Sequence, residues 1–88
     1  MKYQLVVDIY RGLFEDSKSV TIKKSSSLDD IEAAFYEALI EYSQAQKIGE
    51  FAACHLCVIP LSDDGKDIWP DLSEDEQSRL SCLDRSIE

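Results

Sequence analysis

Read for polarity alone, the start of the chain alternates. In "KYQLVVDIY" Tyr3, Leu5, Val7 and Ile9 fall on one side of an extended backbone, and Gln4, Val6, Asp8 and Tyr10 on the other. This predicts a strand whose first set enters the core. "RGLFEDSK" interrupts the pattern, with Gly12 suited to a bulge or turn and Glu15, Asp16 and Ser17 to a loop. "SVTIKK" then sets Val20 and Ile22 against Thr21 and Lys23, so the two stretches predict an antiparallel hairpin.

From Ser25 the period changes. In "SSSLDDIEAAFYEALIEYSQAQKIG" the residues Leu28, Ile31, Phe35, Ala38, Leu39, Tyr42 and Ala45 recur at three- and four-residue intervals and form one stripe. Ser27 followed three residues on by Asp30 is a capping-box-like start, and Gly49 is a suitable stop, so the stretch predicts a long helix packed on the sheet. "FAACHLCVIPL" follows as a nearly continuous apolar run, the mark of a central strand, with Pro60 near its end where a missing donor does least harm. "SDDGK" is a turn, and "DIW" a short fourth strand that Pro70 stops. In "DLSEDEQSRLSCL" the spacing of Ser73 and Glu76 opens a second, short helix with Leu72, Leu80 and Leu83 on its apolar side.

The predicted order is β-β-α-β-β-α in a single α+β domain over residues 1–88, with an acidic C-terminal segment at 62–88. A right-handed crossover through the long helix sets the first strand between the second and third, giving a four-stranded, mainly antiparallel sheet of order 2-1-3-4. One face takes the long helix. The other carries Val6, Tyr10, His55, Cys57 and Ile59, too apolar to leave wholly in water, so the C-terminal segment or a partner is expected to cover part of it.

Composition narrows the function classes. With 44% hydrophobic and 31% charged residues the chain has an ordinary globular balance. No apolar run approaches the roughly 20 residues that span a bilayer, and Gln4 and Asp8 interrupt any signal-peptide core, so no membrane association is expected, and a cytoplasmic location in a bacterium or phage-infected host is. Three cysteines without a secretion signal read as free thiols. The net charge of −9 disfavours direct binding to nucleic acid, where Lys and Arg must replace counterions, and points instead to a protein partner with a basic surface or to solubility alone. Residues 62–88 hold nine acids against three bases, a net of −6, so two thirds of the excess lies in the last third of the chain.

The candidate chemistry is sparse. Cys54 and Cys57 enclose His55, the one histidine, in a C-x-x-C pattern. On a strand the two thiols differ by an odd number of positions and point to opposite faces, and His55 points away from Cys54, so a tetrahedral zinc site would require breaking the strand. A redox pair would sit at a helix N-terminus, whereas this pair follows the helix. "DDGKD" suggests a calcium loop, but aligning Gly65 with the loop glycine puts Pro60 at the first ligand position and Asp71 at the last. "SSS" is accounted for by capping. With His55 inside an apolar strand and only Gly12, Gly49 and Gly65 as glycines, no nucleophile–base pair or phosphate loop emerges. No catalytic, metal or cofactor residues are assigned, and no enzyme activity is expected.

Surfaces remain. At 100° per residue Ala33, Tyr36 and Ile40 lie together roughly 100° to 160° from Phe35, with Asp30, Glu37 and Glu41 just beyond. Tyr36, Glu37, Ile40 and Glu41 either form a docking patch, an aromatic anchor with a charged rim, or Tyr36 and Ile40 pack beneath the loop holding Leu13 and Phe14. Asp63, Asp64, Asp67, Asp71, Glu74, Asp75 and Glu76, with Trp69 among them, form a second surface that can occupy a basic groove meant for phosphates or simply face solvent.

With "SDDGKDIWPDLSEDEQ" as its acidic stretch, the chain resembles, in size, acidity and β-β-α-β plan, the small proteins that phages and plasmids encode against host defence, the anti-CRISPR and anti-restriction proteins. Some of these are DNA mimics. The resemblance implies a non-enzymatic inhibitor or modulator of a basic, nucleic-acid-handling complex, without a cofactor. The competing expectation is a structural or adaptor module that self-associates, as a homodimer, or docks into a larger assembly through Val6, Tyr10, Ile59 and the Tyr36–Ile40 patch.

Overall fold

The structure is a computed structural model that describes residues 2–10 and 17–88. The readings of Gly12, Leu13, Phe14, Glu15 and Asp16 fall outside the described residues. Strands β1 (Tyr3–Tyr10), β2 (Lys18–Ser25), β3 (Ala53–Pro60) and β4 (Asp84–Ile87) form one antiparallel sheet of order β2-β1-β3-β4. Helix α1 (Leu28–Lys47) joins β2 to β3, and helix α2 (Glu74–Cys82) precedes β4.

Alternation sets the layers. Leu5 pairs with Val58, Val7 with Leu56 and Ile9 with Cys54, and these residues face α1. Leu28, Ile31, Phe35 and Ala38 are buried from the helix side, with Leu39, Tyr42 and Ala45 packed beside them. Burying one such large side chain fully contributes about 1.5–3 kcal/mol. On the opposite face the pairs are Gln4–Ile59, Val6–Cys57, Asp8–His55 and Tyr10–Ala53. A bulge shifts the β1–β2 register between Leu5 and Val6 and lets Ile22 join Ile9 and α1 residues around one groove.

Both helices start where their sequences say. The Ser27 hydroxyl accepts from the Asp30 N–H at 3.3 Å, and in α2 the Ser73 hydroxyl accepts from the Glu76 N–H at 3.2 Å while Glu76 reaches back to the Ser73 N–H. At its end α1 closes in a Schellman turn: the Gly49 N–H donates to the Gln46 carbonyl and the Glu50 N–H to the Ala45 carbonyl, both at 3.1 Å, with Gly49 at φ +82°.

One element differs from the expectation. "DIW" is not the fourth strand: Asp67 makes only an isolated bridge to Leu61, its side chain accepts from the Trp69 N–H at 2.9 Å, and Trp69–Asp71 form a single 3-10 turn with Pro70 inside it. The side-chain bond and the fixed φ of proline curl this stretch off the sheet. The fourth position in the sheet goes to "DRSI", which pairs along Cys54 to Cys57 after α2. Leu72, Leu80 and Leu83 are buried in the common core on the α1 side, so the C-terminal segment does not cover the other sheet face.

Candidate functional site

The C-x-x-C stretch is the middle of β3. Cys54 is 1% exposed against α1, whereas Cys57 is half-buried on the open face. Burial raises the pKa of both thiols, and for Cys57 the carboxylates of Asp8 and Asp84 push it further the same way. That is the reverse of what a thiolate nucleophile or ligand needs. All three cysteines are free thiols. His55 lies beside Cys57 on the open face, with Nε2 2.5 Å from Asp84 Oδ1 across the β3–β4 pair. Among the described residues no group of three or more His, Cys, Asp or Glu side chains is placed to hold a metal ion.

On α1 the exposed face is now defined. Tyr36 is 50% exposed and Ile40 64%, flanked by the exposed Glu37 and Glu41. Tyr36 is nonetheless held: its ring meets Phe35 edge-on, centroids 5.5 Å apart, so an anchor aromatic projects from the core rather than swinging freely. The ridge of positions 36, 40, 44 and 48 ends in Ile48, 77% exposed, which the sequence reading did not single out.

The acidic segment sits at the end of the molecule where β1 begins, β3 ends and α1 starts. The Leu61 N–H donates to the Lys2 carbonyl, and a depression there is lined by Lys2, Ser26, Asp63, Asp71 and Leu72. Asp63, Asp64, Asp67, Trp69, Asp71, Glu74 and Asp75 are all exposed. They are not equivalent. Asp64 accepts from the Ser62 hydroxyl, a bond that lowers its carboxyl pKa, and Asp67 holds the 3-10 turn. Asp71, Glu74 and Asp75 make no side-chain hydrogen bond or ion pair among the described residues.

Glu76 has a structural job. It accepts from the buried Tyr3 hydroxyl, pairs with Lys2 Nζ at 3.2 Å and completes the α2 capping box. The Tyr3 bond and then Lys2 hold its carboxyl pKa at about 2, while burial and then Glu76 push the Tyr3 phenol up to about 12. Both shifts favour a neutral phenol donating to a charged carboxylate.

Arg79 relates the two surfaces. It contacts Asp29 at 2.7 Å and Glu32 at 3.0 Å, which draws α2 alongside the first turns of α1. Tyr36 follows Glu32 by one helical turn on the same ridge, so Tyr36 and Ile40 continue the α2 contact along α1. Glu41 turns the other way and lines the groove toward β2. Comparison with known proteins adds nothing to this geometry: no family model, curated protein or solved structure matches the chain.

Proposed function

We propose that this chain is a non-enzymatic acidic binding protein that inhibits or modulates a basic, nucleic-acid-handling partner, in the manner of the DNA-mimicking anti-CRISPR and anti-restriction proteins. The observation that carries the reading is the exposed Tyr36–Ile40 patch, anchored on Phe35 and continuous through Arg79 with an acidic end holding Asp71, Glu74 and Asp75 without internal partners. Aromatic and aliphatic anchors supply contact area, and unpaired carboxylates supply steering and salt dependence.

The test uses the intact chain and the variant D71N/E74Q/D75N, leaving Glu76 in place because it ties α2 to Tyr3 and Lys2. A partner captured from bacterial lysate is purified and its affinity measured across a salt series. Weaker binding by the variant, with a flatter salt dependence, supports the proposal; unchanged binding removes it.

A second reading, a module that self-associates or docks into an assembly, is favoured by one observation. Val6, Tyr10, Cys57 and Ile59 share a sheet face over which neither helix lies. A dimer in sedimentation that persists at high salt and is broken by V6K/I59K would select it.

A further inference from the structure

At the far end of α1 from the acidic segment, two depressions of about 460 and 540 Å³ share Glu41, Ala45 and Glu50. The first is floored by Ile9, Ile22, Tyr42 and Phe51. The second runs on past Gln44 and Lys47 to the exposed Ile48. Ala45, the smallest of the shared residues, lines both. The Schellman turn determines the charge there: the Glu50 N–H bond to the Ala45 carbonyl sets Glu50 beside Ala45, and Glu41 stands one helical turn before Ala45 on the same ridge. Neither carboxylate makes a hydrogen bond or ion pair among the described residues. Lys47 lines only the second depression.

We infer that this channel is the docking site for an arginine flanked by apolar residues on a partner protein. The side chain's methylenes lie over Ile22 and Phe51, its guanidinium reaches Glu41 and Glu50, and an apolar neighbour crosses Ala45 to Ile48. Arginine fits better than lysine, because its planar guanidinium is weakly hydrated and carries five donors in a fixed fork, suited to donating to two carboxylates at once. The inference rests on the reading of a basic protein partner, and names an anchor separate from the acidic end.

The probe is acetyl-Leu-Arg-Leu-amide, with its citrulline counterpart as the neutral isostere, titrated into the labelled full chain by amide NMR. The expected result is saturable shifts at Ile22, Ala45, Glu50 and Phe51, with affinity reduced at least about tenfold by citrulline or by E41Q/E50Q. Both glutamates are exposed and glutamine keeps the Glu50 backbone bond, so the variant folds; D71N/E74Q/D75N binds the peptide as the parent does. Absence of saturable shifts, equal binding of the citrulline peptide, or shifts confined to residues 63–76 overturns the assignment. Self-association lost in Glu50→Lys, without peptide binding, gives the channel to a second copy and equally overturns it. Peptide binding combined with partner capture indifferent to D71N/E74Q/D75N would sink the acidic-mimic reading alone, and the converse pattern would sink the channel alone.

Discussion

Replacing the protein's thiols one at a time, and timing their reaction with a chromogenic disulfide, reports directly on the alternation that organises β3. Cys82 ends α2 exposed, Cys57 is half-buried on the open sheet face, and Cys54 is sealed against α1. Cys54 has no route to reagent except unfolding. At roughly 0.05–0.15 kcal/mol per residue a chain of this length holds about 4–13 kcal/mol, and each 1.4 kcal/mol slows reaction through the unfolded state tenfold. Cys54 is therefore expected to react at least about a thousandfold more slowly than Cys82, with Cys57 between them because its raised thiol pKa leaves little thiolate. Cys54→Ser places a hydroxyl in an apolar core without a partner and costs about 1–3 kcal/mol. With a urea slope of about 1–3 kcal/mol per molar, that lowers the midpoint by about 1 M, whereas Cys57→Ser moves it little. Equal reaction rates for Cys54 and Cys57, or equal destabilisation by the two serines, would refute the placement of the sulfurs on opposite faces.

Other expectations follow from single contacts. Glu76 has a depressed folded pKa, about 2 against 4.5, so its stabilisation is complete above about pH 4.5 and is lost as the pH falls from there toward 2; Tyr3, raised from 10.0 to about 12, loses its share as the pH rises through that interval. E76Q is expected to show a shallower acid limb of Tm against pH than the parent, and coincident limbs would contradict the pairing. Gly49→Ala meets no atom within 4 Å but forces a side chain into φ +82°, costing about 1 kcal/mol and lowering Tm by about 4–8 °C in a thermal melt. Y36A/I40S removes two half-exposed side chains and the edge contact with Phe35, and is expected to cost about 0.5–1.5 kcal/mol of stability while weakening partner binding at least about tenfold, read from a urea melt and a binding isotherm.

How much of this was legible in the sequence depended on whether a residue's neighbours were local. The alternation of Leu5, Val7, Cys54 and Leu56, the stripe from Leu28 to Phe35 and the Ser73–Glu76 spacing all report contacts that strand or helix periodicity dictates, and each element stands where it was expected. β4 was not legible. "DRSI" is a four-residue edge strand whose Asp84, Arg85 and Ser86 are exposed, so no apolar period marks it, whereas "DIW" looks apolar but is curled by Asp67 and Pro70. Tertiary pairing also adds to Glu76: its spacing from Ser73 marks it as a cap and its charge as part of the acidic surface, but the bond from the Tyr3 hydroxyl, 73 residues away in sequence, makes it a structural tie. Ile48 and Glu50 carry a local signal in the sequence. Gly49 after a helix implies a Schellman turn, and that turn returns the residue after the glycine over the last buried turn of the helix. The acids of 63–76 were identifiable by composition, yet which of them are tied and which are available to a partner required coordinates.

In the function we propose, the acidic end and the Tyr36–Ile40 face together engage a basic partner where nucleic acid would otherwise lie. The most direct test measures the affinity of a purified captured partner for the parent chain and for D71N/E74Q/D75N, with and without competing duplex DNA, over a range of salt. DNA is expected to displace the parent chain from the partner, and the variant to bind more weakly with a smaller salt dependence. A partner that holds DNA and this protein at once, with affinity indifferent to the three carboxylates, would contradict it.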